Sequence, residues 1–490
     1  MIIFSLVFNI NCVCFHNRIF WITALILSFT SCCYLIMKTF NKWQSSPVIV
    51  TFDEKSTPVW KIPFPAITIC PETKYKKQYF EVDNLLDNEL LSKSESLSKD
   101  HFDKLNTLYQ VCNHYPYPSF GLKEEVFSNC SDIFNNITID FEDSFQTCVW
   151  SGSKINCENL FHKILTDEGV CWTFNMLDHL ELFHEQLDKS LMYPIHDNES
   201  EHWTLQGGYT SYAAKVYPHR VLGSGITAGL NLELRVRESD IDYACKGPVQ
   251  GFKIALHTSG EMPQFNHVFY QVPLKQQVLI AVKPEVITTS PGLNAYLPKK
   301  RQCYFNGEKK LKFFKVYTQS NCELECLTEY TLKQCGCVKF SQPHNSSTNV
   351  CNFHYSDCYR KAKQNFIEDK LEQKLNEESK KNIIEEENKP LNNTNNYFSN
   401  FTPPQAFHRI PSKYGRVREK RKKKESLFEK KPTISFTDVD DGMEDECKCL
   451  PACTSIEYNA EISQSQYEYS EFYKKIKRAN YSSEYVYQRN

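Results

Sequence analysis

An uncharged run of 19 residues, IFWITALILSFTSCCYLIM at 19–37, limits this chain more than any other feature. As a helix rising about 1.5 Å per residue it is roughly as long as a bilayer's hydrocarbon core is thick, so one membrane crossing is expected. Arg18 on one side and Lys38 and Lys42 on the other leave the orientation unset by positive charge.

Chemistry further along sets it. Asn-x-Ser/Thr acceptors stand at Asn129, Asn136, Asn198, Asn345, Asn392, Asn400 and Asn480, all after the run. Of the 21 cysteines, 17 also follow it, a density that belongs in an oxidising space. Residues 1–18 are therefore expected in the cytosol, 19–37 in the membrane, and the bulk from Trp43 onward outside a cell. A cleaved signal sequence over the first 37 residues is the simpler alternative. The apolar core is longer than the usual 7–15 residues and lacks a basic leader, which weighs against it.

Short β-rich segments follow: PVIVTF at 47–52 and FPAITIC at 64–70, then GLNLELRV at 229–236, GFKIALH at 251–257, HVFYQVPL at 267–274 and QQVLIAVKPEVITT at 276–289. Residues 83–109 read as a helical, peripheral lobe. Together they predict a mixed α+β ectodomain over 43–358. Residues 359–446 are poor in apolar side chains and rich in Lys, Glu and Asn, with the basic stretch RVREKRKKK, and read as a disordered or loosely helical insertion. The net charge of −2 gives no footprint for nucleic acid, and no Ser/His/Asp, Cys/His or paired-carboxylate pattern suggests an enzyme or a cofactor.

The cysteines carry more detail. Cys322 and Cys326, four apart, share one face of a helix at about 6 Å. Cys447 and Cys449, two apart, share one face of an extended segment at about 6.6 Å. Two adjacent bridges can therefore lace helix to segment, antiparallel as Cys322–Cys449 and Cys326–Cys447. Cys303–Cys453 would lie outside them, and Cys335–Cys358 and Cys337–Cys351 would close the inner hairpin. Six cysteines already allow 15 pairings, so spacing offers this nesting as a hypothesis. Zinc held by Cys335, Cys337, His344 and His354 is the competing reading. Cys112–Cys130 is the weaker expectation, and it leaves Cys245 without a partner.

Phe64-Pro65-Ala66-Ile67-Thr68-Ile69-Cys70 resembles a signature of the degenerin/epithelial sodium channels, and Gly169-Val170-Cys171-Trp172-Thr173-Phe174-Asn175 resembles a second. Tyr217-Pro218-His219-Arg220, Asp242-Tyr243-x-Cys245 and Cys449-Leu450-Pro451-Ala452-Cys453 are similar to insect pickpocket members. The resemblance implies Cys70–Cys171 and Cys148–Cys157 bridges, and the family's thumb coincides with the nested ladder. It also implies a hand-like ectodomain of palm, thumb, finger, knuckle and β-ball, at the cell membrane, in a homo- or heterotrimer that passes Na+ and is blocked by amiloride. An extracellular ligand or a mechanical tether would open it.

The resemblance further implies a His-Gly motif before the first span and, after residues 447–490, a second span bearing Gly/Ser-x-Ser. Neither is found in this sequence, and the chain is read here as an incomplete channel subunit. A non-conducting, single-pass, cysteine-rich receptor or regulatory subunit is the alternative. Two local signals complete the reading. Arg418, Lys420 and Arg421 fit a furin-type cleavage pattern, against the simpler solvated basic linker. Trp43 is expected to act as a gating aromatic, against a plain interfacial tryptophan.

Overall fold

The computed structural model describes residues 15–45, 51–52, 56–79, 99–112, 130–188, 191, 203–210, 216–266, 268–387, 447–468, 471–472 and 474–475. Its first element is helix α1 (Phe15–Ser45), longer at both ends than the apolar run alone predicts. Within it, Ile19–Gln44 is long and apolar enough to cross a membrane, and its side chains are exposed, as lipid contact requires. Thr23, Thr30 and Thr39 return their hydroxyls to carbonyls three or four residues back, which lets polar residues ride on such a helix.

The chain divides into two compact units, residues 1–364 with 449–490, and residues 365–448. The first is built on a five-stranded antiparallel sheet. Strand β1 (Ala66–Pro71) lies at its centre and is buried at every position. Helices α2 (Lys99–Tyr109) and α3 (Cys130–Ile137) follow. Next come β2 (Phe145–Trp150), β3 (Ser153–Ile155), β4 (Phe161–Thr166), β5 (Gly169–Phe174), β6 (Leu230–Leu234), β7 (Gly251–His257), β8 (Tyr270–Pro273) and β9 (Gln276–Ile287). The central order is β8-β7-β1-β5-β4, and a smaller sheet runs β3-β2-β6.

One face of β1 sends Ile67 and Ile69 into a core with Phe145, Phe161, Trp172 and Phe174. Phe141 stacks on Phe145 at 4.4 Å, and Phe145 meets Phe161 at 4.8 Å. The other face carries buried Thr68. Its hydroxyl is 3.0 Å from that of Thr173, its register partner, and 2.9 Å from His257 Nε2, so these polar groups satisfy one another.

Helix α4 (Gln319–Cys335) starts where the Thr318 hydroxyl accepts from the Asn321 amide, and ends at Gly336 in the left-handed conformation. Helix α5 (Ser356–Glu387) follows, and then β10 (Ser455–Gln466), which pairs with β9 over twelve residues as a two-stranded ribbon.

One expectation changes. Thr51 and Phe52 lie in no strand and Phe52 is fully exposed, while 46–50 lie outside the described residues. The start of the insertion expected at 359–446 is continuous helix as far as Glu387, the helical alternative of that reading, and 388–446 lie outside the described residues. Lys, Glu, Gln, Leu and Ala are strong helix formers and carry this segment. In the second unit Ile367, Leu371 and Leu375 are exposed along it.

Candidate functional site: a bridged ladder, a joint and a buried charge cage

The cysteines on α4 occupy one face, as four-residue spacing dictates. Cys322 is bonded to Cys449 with Cα atoms 5.7 Å apart, and Cys326 Sγ lies 3.9 Å from Cys449 Sγ. Cys326 and Cys447 are each in a disulfide as well. Cys303–Cys453, Cys335–Cys358 and Cys337–Cys351 complete the set, at Cα separations of 5.0, 5.9 and 5.1 Å. The sulfurs of Cys322, Cys326 and Cys449 lie within 4.8 Å of one another, a clustering that adjacent bridges produce by themselves. Zinc through Cys335 and Cys337 is corrected, because both sulfurs are spent in bridges. His344 Nδ1 instead sits 2.7 Å from the Gln342 carbonyl, and burial pushes its pKa down.

Cys70–Cys171 ties β1 to β5, and Cys148–Cys157 closes a short loop. The pairing of Cys112 with Cys130 is corrected. Cys112 is bonded to Cys245, 133 residues away, and Cys130 is a buried free thiol raised to about 12 by that burial. Asp242 explains the approach. Its carboxylate caps the turn Tyr243–Lys246 through the amides of Ala244 and Cys245, and also accepts from the Tyr75 hydroxyl. The Asp242-Tyr243-x-Cys245 run was the available signal, since an Asp immediately before a short turn caps it and fixes where the cysteine points.

Below the central sheet, the segment leading into β1 is clamped from two sides. Tyr458 on β10 donates its hydroxyl to the Pro63 carbonyl at 2.9 Å. On the other side, the Phe64 amide donates to the His219 carbonyl, and Asn175 Nδ2 donates to the carbonyls of both Phe64 and His219. Asn175 adopts φ 63°, a conformation Asn tolerates better than most residues. Arg220 reaches the Trp60 carbonyl at 3.2 Å and covers the Tyr209 ring at 4.6 Å. The Tyr-Pro-His-Arg motif thus serves as the far wall of this joint. Trp43 sits in the last turn of α1, exposed, with its ring 5.9 Å from that of Phe40.

The third feature was not legible in the sequence. Glu168, in the turn between β4 and β5, lies 3.0 Å from Lys74 Nζ and 2.7 Å from both Lys246 and Lys253. Burial alone would raise its pKa, but the three ammonium groups hold it well below the usual carboxylate range. Lys246 is pushed down to about 8, by burial first and then by Lys74. Glu72 adds a second carboxylate 3.7 Å from Lys253. These residues are far apart in sequence, and nothing local marks them as neighbours.

Of the glycosylation candidates, Asn136 is exposed on α3. Asn345 is half-buried in a turn, where its side-chain oxygen accepts from Ser347 and Thr348. Asn129, Asn198, Asn392, Asn400 and Asn480, and the basic residues Arg418, Lys420 and Arg421, lie outside the described residues.

The family described as "Amiloride-sensitive sodium channel" matches residues 9–490, nearly the whole chain. The chain belongs to this family. Pickpocket protein 28 of Drosophila melanogaster is 26% identical over 351 residues, covering 70% of this chain and 54% of that protein. The sodium channel protein Nach of the same species is 24% identical over 361 residues, covering 69% and 61%. Acid-sensing ion channel 1C of Danio rerio is 23% identical over 360 residues, covering 70% and 57%. The chain thus spans between half and two thirds of these relatives' length. Amiloride-sensitive sodium channel family members are ion channels rather than enzymes, and the membrane helix, sheet-rich body and disulfides agree with that assignment.

Proposed function

We propose that this chain is a subunit of an amiloride-sensitive channel that passes Na+ through a homo- or heterotrimeric pore. A ligand or mechanical force acting on its ectodomain would open it. In this reading the N-terminus is cytosolic and the bulk of the chain extracellular at the cell membrane. The observation that carries it is the joint below the sheet. Tyr458 grips the carbonyl of Pro63, so motion of the disulfide-pinned body is delivered to the segment between β1 and the membrane helix.

The test is expression of the chain, alone and with related subunits, with recording of amiloride-sensitive sodium current. Current, or a change in a partner's current that Tyr458→Phe weakens, supports the reading. Surface-delivered protein that neither conducts nor alters a partner sinks it. Glycosidase-sensitive mass on Asn136 or Asn345 reports the proposed topology separately.

A further inference from the structure

In the second unit the long helix α5 carries an apolar ridge that is left open among the described residues. Ile367, Leu371 and Leu375 follow one another at four-residue intervals and are 55%, 57% and 52% exposed. Residues four apart stack along one side of a helix, and such ridges are the surfaces by which helices pack together. A single exposed leucine is ordinary, but three in succession on one face make a continuous strip. The charges beside the strip are sorted by side. At about 3.6 residues per turn, Glu368 and Glu372 lie on one flank of Leu371, and Lys374 and Lys370 lie equally far round on the other. None of the four is buried. Lys370 Nζ sits over the Phe366 ring at 4.8 Å, further round on the same basic side.

An acidic flank and a basic flank on either side of one apolar strip specify what fits against it. The partner helix must offer an apolar strip of its own, a basic edge to Glu368 and Glu372, and an acidic edge to Lys370 and Lys374. The same stretch of another copy meets all three conditions when laid parallel, because a two-fold axis running along the helices turns each copy's acidic edge toward the other's basic edge. Laid antiparallel, like edges would meet and repel. We propose that residues 367–375 of α5 form a self-association strip, through which two copies of this chain pair helix to helix in parallel. The contact is distinct from the joint and stands whether or not the chain conducts.

The test is oxidative trapping of the full chain in cell membranes, read as a reducible dimer on non-reducing gels. Cys12, Cys14, Cys32 and Cys33, which precede or lie within α1, are replaced by Ser in every variant and in the background. Leu371→Cys is expected to cross-link to its counterpart, and Gln373→Cys, on the opposite face, is not. Ile367→Cys and Leu375→Cys should each cross-link when expressed alone, since parallel copies set equal numbers side by side. Reversing the acidic flank with Glu368→Lys and Glu372→Lys should cut the Leu371→Cys dimer at least about threefold, and adding Lys370→Glu and Lys374→Glu to the same chain should restore it. Trapping of Ile367→Cys only when co-expressed with Leu375→Cys would mean an antiparallel pair and overturns the proposal. So does equal trapping of Gln373→Cys, failure of the charge exchange to rescue, or no dimer from surface-delivered Leu371→Cys, the result expected if another segment of the chain or a different protein covers the strip.

Discussion

Replacing Glu168 by Gln removes the one carboxylate that three lysines share and leaves their ammonium groups where they are. Lys74 and Lys246 expose only 4% and 3% of their side chains, so water cannot take over from the lost partner. Breaking a buried ion pair from one side costs about 3–5 kcal/mol, chiefly the penalty of the stranded charge. The thermal midpoint of the purified chain should therefore fall by about 5–10 °C. Glu461→Gln is the control: it removes a partner of Lys283 from a pair whose side chains are 62% and 74% exposed, and should shift stability by less than about 1 kcal/mol. The pH profile adds a second readout. Glu168 has a folded pKa below its unfolded one, so its stabilisation is complete above roughly pH 4.3 and is lost as pH falls toward the folded value. Glu168→Gln should flatten the profile in that acidic window. Equal melting of Glu168→Gln and Glu461→Gln would refute the cage as a stabilising element.

Further outcomes can be checked together. Gly251→Ala should destabilise by more than about 1 kcal/mol, because φ is 138° and the new Cβ would stand 2.1 Å from the Val272 carbonyl oxygen; the midpoint of unfolding checks it. Peptide mapping without reduction should recover Cys112 joined to Cys245 and Cys326 joined to Cys447, with Cys130 as a thiol. Cys245→Ser should cost about 2–5 kcal/mol, against little for Cys130→Ser, as read by unfolding and by surface delivery. If Arg418-Glu419-Lys420-Arg421 is a processing site, furin treatment should yield fragments held together until reduction, and Arg421→Ala should abolish them.

What could be read from the sequence was what depends on near neighbours. Strand β7 has the bounds its sequence suggests, since Gly251 and the residues around it punctuate the segment locally. The α4 cysteines share a face because helical geometry fixes a four-residue spacing whatever the surroundings. Cys245 was misjudged because its partner is set by Asp242 and Tyr75 meeting in space, and proximity along the chain favoured Cys130 instead. Glu168 was missed, because its lysines arrive from β7, from the turn before it and from the segment just after β1. For the insertion read at 359–446, composition left disorder and loose helix both open, and the described part, as far as Glu387, is helix.

The Tyr458 grip on Pro63 joins residues 395 positions apart. At roughly 5–20 residues per second of synthesis, the membrane helix waits on the order of a minute before the residue that will clamp its exit exists. Cys303 waits too, since Cys453 emerges 150 residues later, roughly ten to thirty seconds of translation. Through that interval Cys322 and Cys326 stand near Cys335, Cys337, Cys351 and Cys358, all closer along the chain than Cys449. Correct pairing of these cysteines therefore calls for disulfide reshuffling, and a cell lacking that capacity should retain the protein.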